Sequence, residues 1–230
     1  MTIDIKVPKG WSDLDIRQLA IVAKLIDLDL DRRQLLLVSF CTLSGIKIRH
    51  SARGLRYVYN KQEFKLEPYQ LSEFCNRMEW LIDERPVDIV NPTKIHPHLI
   101  DVKFGSYFYA DAMMSRYGKT GKPRFVRKAL KELGQDCLLM SKHKANMVQL
   151  WWNGVQGYLQ KIYPLVFPSS DDKNKNTQSP FTILQNLLLM LNENRPQDNR
   201  LIEDADAHGV LAALNNKIDQ YEKMKERIKK

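Results

Sequence analysis

Gly118-Lys119-Thr120-Gly121-Lys122 is the nearest approach in this sequence to a phosphate-binding loop. Such a loop has the spacing GxxxxGK followed by Ser or Thr, and it opens a helix after a buried strand. Here Lys122 is followed by Pro123, and the residues before Gly118 carry a helical period. The two glycines therefore read as a turn between helices, with Pro123 in the first turn of the second. His96-Pro97-His98 with Asp101 offers two imidazoles and a carboxylate to a metal. Pro97 forces extended backbone there, which points the imidazoles apart, and no HExxH or spaced cysteine accompanies them. His50, His143 and His208 stand alone, and no GxSxG motif occurs. Asp171-Asp172 lies in a polar stretch, and Asp204 and Asp206 lie near a helix start, where solvation and capping account for them. No catalytic residue, cofactor site or metal ligand emerges, and a protein that is not an enzyme is expected.

Binding is a better prospect than catalysis. Arg116, Lys119, Lys122, Arg124, Arg127, Lys128 and Lys131 fall within sixteen residues, followed closely only by Glu132 and Asp136. Arg124, Arg127, Lys128 and Lys131 have helical spacing and share a face. Lys119 and Lys122 can join them from the turn. A second basic group, Lys47, Arg49, Arg53, Arg56, Lys61 and Lys65, faces Glu63 alone. Such faces contact phosphates and release counterions, so nucleic acid or an acidic partner fits them. A solvated helix face that keeps the chain soluble explains the same residues.

Trp151-Trp152-Asn153-Gly154 and Tyr158 are the aromatic candidates for an interface. Adjacent residues on a helix point about 100° apart. One tryptophan can fill the core while the other meets another element or a partner, and core or subunit interface outweighs nucleotide stacking. Gly154 and Gly157 permit close helix packing.

The elements that position these residues are mostly helices. Ser12-Asp13-Leu14-Asp15 has capping-box form for a helix to about residue 27. Asp31 caps a second helix, stopped by Gly45. From Leu55 to Leu66 the period changes to two, which predicts a β-hairpin turning near Asn60-Lys61. Pro68 opens a helix to about Asp83, and an extended connection with Pro86, Pro92 and Pro97 follows. Helices are predicted over 107–117, 124–140 and 145–163. The polar run Ser169 to Ser179 reads as a linker. Helices over 181–194 and 205–230 follow it; Ile218, Tyr221 and Met224 share a face too short for a coiled-coil assignment. The expectation is a mainly α fold with one small hairpin: a core domain over 1–168, a linker over 169–180 and a helical C-terminal appendage over 181–230.

The chain has 230 residues, a net charge of +9, 43% apolar and 27% charged residues. That composition supports a buried core and excludes general disorder. The excess of positive charge favours acidic partners. Cys41, Cys75 and Cys137 are odd in number and form no CxxC pair, so they read as reduced core residues. MTIDIKVPKGW has no apolar stretch of the kind a signal peptide carries. No apolar run approaches the roughly 18 residues of a membrane span, and no membrane partner is expected.

The order of these signals resembles a group of phage and prophage virion morphogenesis proteins from the Bacteroidetes lineage, encoded with tail or neck components. The resemblance rests on Pro8-Lys9-Gly10-Trp11-Ser12-Asp13-Leu14, a helical pair closing on Gly45-Ile46, and a hairpin leading into Tyr69-Gln70-Leu71. It continues with a proline-rich connection to Tyr109-Ala110-Asp111, then Trp151 to Gly154 and Tyr163 to Phe167. It covers the chain to about Asn215, and Leu139-Met140-Ser141-Lys142 departs from the apolar-Tyr-Arg-Pro character of the group. The resemblance implies a non-enzymatic structural or assembly protein. It also implies oligomers or co-assembly with other virion proteins, in the host cytoplasm or in the virion. The alternative is a nucleic-acid-binding helical protein that uses the basic faces at 47–65 and 116–131.

Overall fold

The computed structural model describes residues 5–51, 54–84, 86, 88–167, 186, 188–191 and 198–228. It is mainly α-helical with one small antiparallel sheet. The chain forms two compact units. One comprises residues 1–92 and 146–154, the other residues 93–145 and 155–230.

In the first unit Trp11–Asp13 is a short 3₁₀ turn. Helix α1 spans Ile16–Leu25 and α2 Arg32–Ser44. The cap of α1 is Asp15, not Ser12: its Oδ1 accepts from the N–H groups of Arg17 and Gln18 at 2.7 and 2.8 Å. Gln18 Oε1 accepts in return from Asp15 N–H. Asp31 and Gln34 repeat this box at α2. Gly45 stops α2 with φ of +80°, a conformation that costs other residues more.

The hairpin turns at Asn60 and Lys61, whose φ values of 47° and 66° suit a two-residue type I′ turn. It joins β2, Gly54–Tyr59, to β3, Gln62–Phe64. A further strand, β1 at Lys47–Ser51, pairs antiparallel with β2 and makes the sheet three-stranded. The segment expected as one helix from Pro68 is two, α3 at Pro68–Asn76 and α4 at Trp80–Asp83. Phe40 of α2 stacks on Phe74 of α3 at 3.9 Å. Trp11 meets Trp80 edge-on at 5.3 Å, and its Nε1 donates to Glu84 O.

In the second unit α5 spans Phe104–Thr120 and α6 Arg124–Glu132. Helix α7, Lys142–Ile162, runs through both units: residues 146–154 belong to the first and its two ends to the second. Helices α8, Asn199–Asp204, and α9, Ala207–Ile228, close the second unit. They pack on α5 rather than forming a body of their own. Ala207 N–H donates to Val102 O and Phe104 N–H to Ala205 O. Gly105 admits this close approach, because a Cβ there would lie 3.2 Å from Glu203 Cβ. The expected linker at 169–180 lies outside the described residues, as does most of the expected helix over 181–194.

Candidate functional site

The seven cations of the 116–131 run come together on the α5–α6 helical hairpin. Helix α5 buries Phe104, Tyr107, Ala110, Met113, Met114 and Tyr117, which leaves Arg116 and Lys119 on its exposed side. Gly118, Lys119 and Thr120 form its last turn, and Gly121 ends it with φ of +62° while its N–H donates to Tyr117 O. The GKTGK stretch is thus a helix end and a turn. Helix α6 buries Val126, Ala129 and Leu130. Its opposite face carries Arg124, Arg127, Lys128 and Lys131, all exposed.

Among the described residues no ion pair includes any of the seven. Glu132, the one carboxylate of α6, accepts from Ser106 Oγ at 3.4 Å. Arg124 lies over the Phe125 ring, 5.0 Å from its centre. Arg127 Nη1 donates to the carbonyl of Leu138. In the first unit, Lys47, Arg49, Lys61 and Lys65 are exposed around the sheet, while Arg56 pairs with Glu63 at 3.7 Å. Arg53 lies outside the described residues.

Helix α6 ends eight residues before the expected 140. Gly134 takes φ of +84°, its N–H donates to Lys131 O, and Gln135 N–H donates to Leu130 O at 2.8 Å. These two bonds make a Schellman stop. Leu138 and Leu139, expected on a helix, lie instead in the connection to α7 at 93% and 88% exposure. The sequence signal was Gly134 itself, a glycine four residues after Leu130, the last buried apolar position of α6.

Of the three aromatic interface candidates, Trp151 and Trp152 are each 2% exposed. Burial takes both rings out of reach of a partner, so they belong to this chain's own core. Their centres lie 5.9 Å apart, edge to face. Tyr158, half-buried, retains access and borders a second feature.

That feature is an open cleft of about 410 Å³ in the second unit, lined by Ile100, Asp101, Tyr158, Asp206 and His208. Its rim at 96–101 is strained: Leu99 and Asp101 have φ of 55° and 62°. The His98 ring meets the Tyr158 ring at 4.2 Å. His208 Nε2 bonds the carbonyl of His98. A carbonyl only accepts, so Nε2 carries a proton; Nδ1 lies 2.8 Å from Tyr163 Oη, which also donates to the His208 carbonyl at 3.3 Å. Burial raises the Tyr163 hydroxyl above its ordinary pKa, which keeps that donor protonated. Both nitrogens of His208 are therefore committed to tying the 96–101 rim to α7 and α9. Asp206 is similarly occupied, accepting from Gly209 N–H at 2.8 Å. His96 and His98 rings lie 5.8 Å apart, and His96 Nδ1 accepts from His98 N–H. No group of three His, Cys, Asp or Glu among the described residues is arranged to hold a metal ion.

No protein family, curated protein or solved structure matches this chain. No helix among the described residues is long and apolar enough to cross a membrane.

Proposed function

We propose that this chain is a non-enzymatic phage structural or assembly protein of the tail or neck region, working through protein–protein contacts. The order of sequence signals supplies the phage setting. The structural observation that supports the reading is the end of α9. Val210, Leu211 and Leu214 are buried, and Ile218 is half-buried. From Gln220 to Ile228 every residue is exposed. Tyr221, Met224 and Ile228 extend the same stripe at helical spacing, exposed at 58%, 57% and 84%. The helix thus continues beyond its own packing with an apolar edge, the form of an unfilled helix–helix contact.

Light scattering at low and high salt, with and without a short DNA duplex, tests this. A discrete oligomer that resists salt, ignores DNA and falls apart on substituting Tyr221, Met224 and Ile228 with serine is the expected result. A monomer at every concentration and salt, unchanged by those substitutions, overturns self-association through α9. A monomer that shifts on DNA only at low salt turns the reading to nucleic-acid binding.

A further inference from the structure

Among the described residues no carboxylate pairs with the cations of the α5–α6 hairpin, and beside it the chain holds out two leucines. These are the two most exposed large apolar residues among those described. Single exposed leucines are ordinary; an adjacent pair at this exposure, next to a charged face, is not. Nor is the connection between α6 and α7 loose. The Schellman bonds at Gly134 fix its start. Gln135 Oε1 accepts from Lys94 N–H at 3.0 Å. Ser141 Oγ caps α7 by accepting from Lys144 N–H. Between these anchors, Arg127 of the basic face grips the Leu138 carbonyl. The guanidinium that contributes to the charge also locates the leucines.

We propose that this face, Arg124, Arg127, Lys128 and Lys131 with Leu138 and Leu139, docks on an anionic lipid bilayer surface. Charge alone suits nucleic acid equally well. The leucines decide between them. A duplex presents phosphates but no apolar layer at their depth, so both leucines would stay in water or have to be driven between bases at the cost of unstacking. A bilayer presents anionic headgroups, with acyl chains within about 5–10 Å beneath them. Cations held at such a surface strengthen attachment roughly fivefold each, and leucines just below add apolar burial. The absence of a membrane-spanning helix among the described residues has no bearing on surface contact of this kind.

Flotation of the full chain with vesicles tests this. One set contains phosphatidylglycerol mixed with phosphatidylcholine, the other phosphatidylcholine alone. Binding is expected to the anionic set only. It should weaken with salt and drop about tenfold or more in L138S/L139S. R127Q/K128Q should weaken it as well. Leu201, 71% exposed on α8, provides the control, and L201S should bind as the parent does. Melting curves of each variant confirm folding, which such exposed side chains do not sustain. No binding to anionic vesicles overturns the proposal. So does binding that L138S/L139S leaves unchanged, or retention by a DNA duplex in place of vesicles.

Discussion

Substituting alanine at Gly154 and at Gly157 should move stability in opposite directions, though the sites are one turn apart on α7. A Cβ at Gly154 would lie 2.7 Å from the carbonyl oxygen of Pro86 and 3.2 Å from Ile89 Cγ2. The oxygen belongs to the backbone and cannot rotate aside. Overfilling of this kind costs about 2–3 kcal/mol. The gain in helix propensity from Gly to Ala offsets up to about 1 kcal/mol of it. A net loss of about 1–2 kcal/mol remains for G154A. At Gly157 a Cβ meets nothing within 4 Å, so G157A keeps the propensity gain of up to about 1 kcal/mol. For a chain of this size each kcal/mol shifts Tm by about 2–4 °C. Thermal unfolding followed by far-ultraviolet circular dichroism should show G154A melting several degrees below the parent and G157A at or slightly above it. A G154A protein as stable as the parent would refute the close packing of α7 against Pro86. A G157A protein as destabilised as G154A would refute the claim that only the neighbouring carbonyl distinguishes the sites.

Asp15→Ala removes an acceptor that serves two N–H groups of α1 and should cost about 1 kcal/mol, read as a lower urea midpoint. Alkaline pH should destabilise the fold. Burial pushes the Cys41 thiol up to about 11 and raises the Cys75 thiol and the Tyr57, Tyr107 and Tyr163 hydroxyls. The folded chain thus holds protons that the unfolded chain releases, so the urea midpoint should fall as pH rises from about 8 through about 11, and a flat profile would contradict it. A thiol reagent at pH 8 should modify Cys137 before Cys75 and Cys41, since Cys137 alone is not buried, and mass spectrometry of peptides gives the order.

Local signals carried much of the fold. Asp31 and Gly45 bracket α2 because a side-chain acceptor and a left-handed glycine act within one turn of their helix. Asn60-Lys61 marks its hairpin by the same short reach, although neither residue is glycine. Ser12 misleads because two candidate acceptors lie three residues apart, and tertiary placement of Trp11 in a 3₁₀ turn leaves the cap to Asp15. Strand β1 was illegible, since its residues Lys47 to Ser51 are mostly polar and find order only by pairing with β2. The basic hairpin could be read because its cations are close in sequence. The His98–His208 tie could not, because 110 residues separate its partners. Trp151 and Trp152 show another limit: helical geometry separates their directions, but only packing decides that both directions lead inward.

Helix α7 imposes an order on biosynthesis. The first unit draws on residues 1–92 and then on 146–154, with all of 93–145 made in between. As the chain leaves the ribosome, the N-terminal segment can pack α1 on α2 and α2 on α3, but its contacts with the middle of α7 must wait. By then most of α5 and α6 has already emerged and is free to pair locally. A nascent chain arrested before Asn146 therefore leaves Ile89 without Gly154 beside it and the Ala23 carbonyl without Asn146 Nδ2, a state suited to chaperone capture.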